Sequence, residues 1–211
     1  MELQEVVRRR RMVRNYDPGR PVPAAVRERI LANALHAPSA GFSQGWAFVT
    51  CEGAQELERF WSAATPSSDG GRPLDGWYEG MRRAPLVVVP LSHRDAYLDR
   101  YAEADKGWTD RSEDRWPVPY WDIDTGFAAL LMLLTAVDAG LGACFFGIPP
   151  ERLAPVREAF GVPAAYVPIG ALTFGYAAPD RRSPSLRRGR RPAEEVVHRG
   201  RWRATQQPSR R

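Results

Sequence analysis

Residues 124–148 read DTGFAALLMLLTAVDAGLGACFFGI, and this stretch decides the fold class. Residues 124–139 are almost entirely apolar, which is typical of a helix buried in a protein core. The Gly-Leu-Gly sequence that follows ends the helix, because glycine often closes a helix C-terminus. Residues 143–148 then form a short apolar run, which indicates a buried strand. The stretch therefore predicts a helix, a turn and a strand.

The same stretch contains the one candidate for a membrane span, residues 126–148. Its length would suffice, because roughly 20 apolar residues cross a bilayer. Asp138 interrupts the run, however, and a charge inside a bilayer is costly. A core helix followed by a strand is the favoured interpretation, and we expect no membrane partner. The N-terminus carries acids and arginines instead of an apolar signal core, so we expect a cytoplasmic protein.

Helices and strands alternate along the rest of the chain, which indicates an α/β or α+β class. We predict helices at residues 2–11, 23–35, 54–63 and 150–160. We predict strands at residues 46–51, 86–91 and 166–176. The run LVVVPL at 86–91 is continuously apolar, as expected of a strand buried on both faces. Residues 65–76 and 181–211 are predicted to be loops.

Residues 93–121 are polar and rich in tyrosine and tryptophan, and they are too long for an ordinary connection. The density of aromatic side chains favours an ordered lid or a partner surface over a disordered insert. Rings in such a lid could stack on a flat aromatic substrate. The candidate lid residues are Tyr101, Trp108 and Trp116.

The chain of 211 residues has a net charge of +5, and Lys106 is its single lysine among 30 basic residues. Two cysteines and three scattered histidines exclude a disulfide scaffold and a zinc finger, so we expect no metal site. Arginines cluster at both ends. Nucleic-acid binding, solvated tails and a small phosphate site could each explain them. No nucleic-acid-binding motif accompanies them, so we expect no nucleic-acid partner.

Four segments together resemble the flavin-dependent nitroreductase family: RRRRMVRNY (8–16), APSAGFSQGWAF (37–48), GLGACFFG (140–147) and RRGRRPAEEVVHRGRW (187–202). Their order and spacing agree with the family over about residues 5–202. The resemblance implies an α+β fold, with a mixed, mostly antiparallel sheet flanked by helices, in a domain-intertwined homodimer. It implies one FMN-binding domain at 1–203, with a lid insertion at about 93–121 and a disordered tail at 204–211. The apolar helix at 124–139 would lie at the subunit interface.

The resemblance also implies the residues that bind FMN. The phosphate and ribityl chain would be held by Arg10, Arg11, Met12 and Arg14, with Met12 standing where the family commonly has serine. Arg188 and Arg190 would reach the same phosphate, so that both ends of the chain converge on it.

Two further segments would surround the flavin ring. One edge of the ring would lie along a loop of small residues that includes Pro38, Ser39, Ala40 and Gln44. In that loop Phe42 replaces a common asparagine and Gly45 a common proline. The other subunit would cover the ring with Phe145, Phe146 and Gly147. Cys144 is interpreted as inert packing, because a lone buried cysteine in a strand is seldom reactive.

The implied function is electron transfer from NAD(P)H through FMN to an electron-poor acceptor such as a nitroaromatic or a quinone. One pocket would serve both substrates in a ping-pong mechanism, and we assign no catalytic residue. A flavin destructase resembling dimethylbenzimidazole synthase is an alternative, suggested by Gly41-Phe42 and by Glu79-Gly80-Met81. A non-enzymatic flavin- or nucleic-acid-binding protein is another.

Overall fold

The computed structural model describes residues 1–66, 76–180 and 183–202. The chain divides into two compact units, Met1–Asp180 and Arg181–Arg211, here called the main unit and the C-terminal unit. The predicted loop at 65–76 lies largely outside the described residues, and the predicted tail at 204–211 lies wholly outside them.

The main unit is built on a five-stranded sheet. Its strands are β1 (Trp46–Glu52), β2 (Leu86–His93), β3 (Gly142–Phe146), β4 (Tyr166–Pro168) and β5 (Ala171–Gly175). The strand order is β1-β2-β5-β3, with β4 also paired to β2. Each of these pairs is antiparallel, and the isolated bridge between Met12 and Ala143 is parallel. Strand β2 is central and buried from Leu86 to Ser92, as its apolar sequence predicts.

Helices surround the sheet, and the fold is therefore α+β. The helices of the main unit are α1 (Leu3–Arg9), α2 (Ala24–Ala34), α3 (Gly53–Ala64), α4 (Gly76–Arg82), α5 (Arg94–Tyr101), α6 (Tyr120–Asp138) and α7 (Leu153–Ala159). The C-terminal unit contains α8 (Ala193–Val196) and a 3₁₀ turn at Pro184–Arg188.

Two apolar clusters form the core, and β2 contributes alternate residues to each. Val87 and Val89 belong to the cluster that holds Phe60 and Trp61 of α3. Leu86 and Val88 belong to a second cluster, which joins α2, α6, β3 and β5. This division follows from the pleat, because successive side chains of a strand point to opposite faces.

Helix α6 is long and apolar enough to cross a membrane by length and composition, and 44% of its most apolar 18-residue window is buried. Small residues such as Ala128 and Ala136 of α6 pack with Ile30 and Ala34 of α2 in the second cluster. The helix thus occupies the position of a core helix, as its sequence predicts. One side of it stays exposed, including Phe127 (43%) and Leu130 (45%).

The sequence predicts the type of most elements, and several bounds differ. The loop predicted at residues 65–76 is wrong at its last residue, because α4 begins at Gly76. The predicted strand 166–176 is two strands, β4 and β5, separated at Gly170. A Cβ there would lie 2.6 Å from a ring carbon of Phe145, so the chain approaches closely and turns. The predicted C-terminal loop is wrong where the Pro184–Arg188 turn and α8 form.

Candidate functional site

The RRMVR segment (10–14) lies beside strand β3. The backbone N–H of Val13 donates to the carbonyl oxygen of Ala143 over 2.9 Å. The sulfur of Met12 accepts from the backbone N–H of Phe145 over 3.4 Å. Two motifs that are about 130 residues apart in sequence therefore meet, and methionine in place of serine has a structural role of its own.

Asp180 fixes this segment, although sequence reasoning missed it. Its Oδ2 atom accepts from the backbone N–H of Arg14 over 2.9 Å and lies 3.6 Å from Nη1 of Arg11. The carboxylate is 9% exposed. Arg11 thus already has an acidic partner. Within the described residues, no carboxylate forms an ion pair with Arg10 or Arg14, so their guanidinium groups are the better candidates for a phosphate.

Helix α4 packs directly on the same segment. A Cβ on Gly80 would lie 2.1 Å from the carbonyl oxygen of Arg14 and 3.4 Å from Cα of Asn15. Only glycine permits this approach. Gly80 thus has a packing role here.

The 37–45 loop has an unusual backbone. Gly41, Phe42 and Gln44 adopt positive φ angles of 62°, 57° and 49°. Left-handed conformations are uncommon outside glycine and persist only where the surroundings hold them, often at ligand sites. Phe42 is 75% exposed, so burial of its ring does not explain the strain.

Hydrogen bonds within the loop stabilise part of this shape. Ser39 Oγ accepts from the backbone N–H of Gln44 over 3.0 Å. Ser43 Oγ donates to the carbonyl oxygen of Ala40 over 2.7 Å. Ser39, Ala40 and Gln44 therefore shape the loop, whereas their contacts with a cofactor stay a prediction. Pro38 is exposed at the start of the loop.

Contacts from α5 and α6 hold the same loop from outside. The backbone N–H of Ala40 donates to Oδ2 of Asp124 over 2.8 Å. The hydroxyl of Tyr97 donates to the same oxygen over 2.9 Å. Nε of Arg100 donates to the carbonyl oxygen of Gly41 over 3.0 Å. Sequence reasoning did not identify these three side chains as part of the site.

Gly45, which stands where the resemblance expects proline, is explained by its neighbours. A Cβ at this position would lie 2.5 Å from a ring carbon of Tyr97 and 2.7 Å from the carbonyl oxygen of His93. The ring of Tyr97 therefore fills the space that a larger residue would need.

The segment after Cys144 is divided between the core and the surface. The ring of Phe146 is buried and stacks on Trp61, with centroids 5.8 Å apart, so only its backbone is available to a ligand. Phe145 is half-buried and Gly147 is exposed. Burial raises the pKa of Cys144 to about 11, so its thiol stays protonated near neutral pH. Cys144 lies in the apolar core, and its role as inert packing stays a prediction.

The predicted lid residues pack on one another. The ring centroid of Trp116 lies 4.7 Å from that of Tyr101 and 5.5 Å from that of Trp108. It also lies 5.9 Å from the ring of Tyr97 on α5. Residues 93–121 thus have a small aromatic core of their own. Stacking of these rings on a substrate stays a prediction.

The C-terminal unit contains the remaining predicted site residues. Arg188 ends the Pro184–Arg188 turn, Arg190 follows Gly189, and both arginines are exposed. The ring of His198 stacks on that of Trp202 with centroids 4.0 Å apart. Convergence of both chain ends on one phosphate stays a prediction.

The chain is similar to known proteins over most of its length. The model of the Nitroreductase family matches residues 7–176. A "Putative NADH dehydrogenase/NAD(P)H nitroreductase" of Methanothermobacter thermautotrophicus is 26% identical over 182 residues, which cover 84% of this chain and 78% of that protein. A protein of the same name from Archaeoglobus fulgidus is 25% identical over 211 residues, which cover 95% of this chain and 99% of that protein.

Solved structures share the fold. A nitroreductase family protein from Clostridium difficile has a TM-score of 0.71 at 23% identity, covering 96% of this chain and 100% of that one. A "putative nitroreductase in complex with FMN" from Desulfovibrio desulfuricans has a TM-score of 0.70 at 19% identity. The match covers 96% of this chain and 99% of that one.

Proposed function

Because this chain belongs to the Nitroreductase family, we propose that it is an FMN-dependent oxidoreductase that carries electrons from NAD(P)H to an electron-poor aromatic acceptor. The observation that supports this most is the contact between the RRMVR segment and strand β3. There Met12 and Val13 bond to Phe145 and Ala143 of the same chain, which brings together two segments that the resemblance implicates in FMN binding. Because the resemblance assigns residues 145–147 to the flavin of the other subunit, this contact would place the phosphate segment of one site next to the ring cover of the other.

The residues present fit this cofactor. A monophosphate needs cationic donors, and the side chains of Arg10 and Arg14 are available to it. A flat ring needs close approach of the backbone, and the small residues Ala40 and Gly41 permit that in the 37–45 loop. The two relatives at 25–26% identity are each named "Putative NADH dehydrogenase/NAD(P)H nitroreductase", and one related structure contains FMN.

Bound FMN would supply the redox chemistry, by taking a hydride from a reduced nicotinamide and returning electrons to an acceptor. The chain's own residues would bind and orient the cofactor. Arg10 and Arg14 would offset the negative charge of the cofactor, and the 37–45 loop would lie along the ring. The thiol of Cys144 is protonated and buried, so we assign it no chemical step. One pocket would receive donor and acceptor in turn, which gives ping-pong kinetics.

Steady-state kinetics test the function. With NADH or NADPH as donor and a quinone or nitroaromatic as acceptor, double-reciprocal plots should give parallel lines. Intersecting lines would contradict the ping-pong mechanism. If neither nicotinamide is oxidised but added reduced FMN is destroyed in air, the destructase alternative replaces the proposal.

We also propose that the protein is a homodimer. Ile123, Phe127 and Leu130 of α6 are exposed by 37%, 43% and 45% and recur at helical spacing. An exposed apolar stripe of this kind fits a subunit interface.

Sedimentation should therefore give about twice the 23.7 kDa of one chain. The double substitution Phe127→Glu and Leu130→Glu should produce monomers, because it places charges on the stripe. Leu35→Glu, at an exposed apolar residue outside α6, is the control and should stay dimeric. A wild-type monomer at micromolar concentration would refute the dimer.

A further inference from the structure

We propose that residues 93–121 latch the 37–45 loop, with Tyr97 and Arg100 acting as positioning residues that hold the loop ready for its ligand before the ligand arrives. The identity of that ligand as FMN rests on the proposed function. The latch itself rests on contacts within the ligand-free main unit.

The first tie runs through a buried carboxylate. Asp124 is 3% exposed, and its Oδ2 atom receives both the Tyr97 hydroxyl, over 2.9 Å, and the Ala40 backbone N–H, over 2.8 Å. A buried carboxylate is tolerated only where donors compensate for lost water. Hydrogen bonds to a charged acceptor are also stronger than neutral ones. Asp124 therefore joins the lid helix α5 to the first residue of the strained turn.

The hydroxyl of Tyr97 is the donor in this tie. Burial, followed by the hydrogen bond to Asp124, raises the pKa of Tyr97 far above its usual value. The side chain is completely buried, and its ring packs edge-on against Trp116 and Trp121. The ring also lies against Gly45 at the end of the loop, so one side chain contacts the loop's last residue and anchors its middle.

The second tie runs through Arg100. Its Nε donates to the Gly41 carbonyl oxygen over 3.0 Å. Its two terminal nitrogens bond to the two carboxylate oxygens of Asp105, each over 2.7 Å, and Nη1 also bonds to Glu103 over 2.9 Å. Such a fork fixes the guanidinium plane. Next to it, the ring of Tyr101 would lie 2.7 Å from a Cβ on Gly41.

The two ties hold the start of the strained stretch. They fix Ala40 and Gly41, and Phe42 and Gln44, which are also left-handed, follow. Internal bonds of Ser39 and Ser43 do not reach α5 or α6. Holding a loop in its bound shape increases affinity, because the ordering cost is met before binding. Lid residues would thus control ligand affinity through the loop.

Hydrogen exchange of the ligand-free protein tests the latch. The variants are Tyr97→Phe, which keeps the ring and removes the hydroxyl, and Arg100→Ala. In each, amide exchange of residues 39–45 should rise about tenfold, in line with the loss of one hydrogen bond. The affinity for FMN should fall by a similar factor. Asp124→Asn keeps an acceptor without the charge and should lie between wild type and Tyr97→Phe.

Thr125→Val is the matched control. Thr125 is also fully buried on α6, but its hydroxyl bonds to the carbonyl oxygen of Trp121 on the same helix over 2.7 Å. The Thr125→Val substitution should leave amide exchange of the 37–45 loop unchanged. A merely structural role for Tyr97 and Arg100 would lower global stability without a selective rise in amide exchange at residues 39–45.

Wild-type exchange of the loop in both latch variants would overturn the latch, whatever the protein binds. If exchange rises as expected but wild type fails to bind FMN, the proposed function fails and the latch stands.

Discussion

Replacement of Gly80 by alanine should destabilise the protein by about 1–3 kcal/mol, the usual cost of overpacking. It should also weaken FMN binding at least tenfold. The new Cβ would lie 2.1 Å from the carbonyl oxygen of Arg14, and a backbone atom cannot rotate away as a side chain can. The RRMVR segment must therefore move. Urea unfolding and fluorescence titration with FMN measure the two effects.

Gly76→Ala is the matched control for this substitution. Gly76 is the first residue of the same helix α4, and a Cβ there would meet no heavy atom of the described residues within 4 Å. Alanine is a better helix former than glycine, so this variant should be as stable as wild type or more so. FMN affinity of Gly80→Ala equal to that of the control would contradict the placement of the phosphate site on the RRMVR segment.

Substitution of Arg10 or Arg14 by alanine should weaken FMN binding by about 1.5–3 kcal/mol for each charge-assisted hydrogen bond that the arginine donates to the phosphate. That corresponds to roughly a ten- to hundredfold weaker affinity. Affinity for riboflavin, which has no phosphate, should change little. Isothermal titration with both ligands makes the comparison.

Arg20→Ala is the control for these variants, because Arg20 stacks on the ring of Tyr176 at 3.5 Å and lies outside the segment. Arg188→Ala and Arg190→Ala test the predicted convergence of the two chain ends, and they should also weaken FMN binding. Unchanged FMN affinity in both Arg10→Ala and Arg14→Ala would remove the phosphate from this segment.

Local composition was sufficient to predict the helix, turn and strand around Gly140. The apolar run of α6 is followed almost at once by Gly140, whose φ is 75°. The end of the helix can therefore be predicted from adjacent residues alone. Helix α4 was missed because GWYEGMR is short and contains two glycines, which disfavour a helix. Its position depends on the approach of Gly80 to Arg14, a contact between distant parts of the chain.

The site was predictable only where a motif marked it. The RRMVR segment and the 37–45 loop were found through their family resemblance. Asp124 attracted attention only as the first residue of a predicted helix. Its partners Ala40 and Tyr97 lie 84 and 27 residues away along the chain, and no local pattern links them. Asp180 is 166 residues from Arg14 and is an acid beside an arginine-rich segment, which reads as surface charge.

The most direct test of the proposed electron transfer is an anaerobic spectrum of the FMN-loaded protein before and after one equivalent of NADH or NADPH. We predict that the yellow absorption band of bound flavin bleaches with at least one of the two nicotinamides and returns when a quinone is added. A protein that takes up no flavin, or whose bound flavin stays yellow with both donors, would contradict the proposed function.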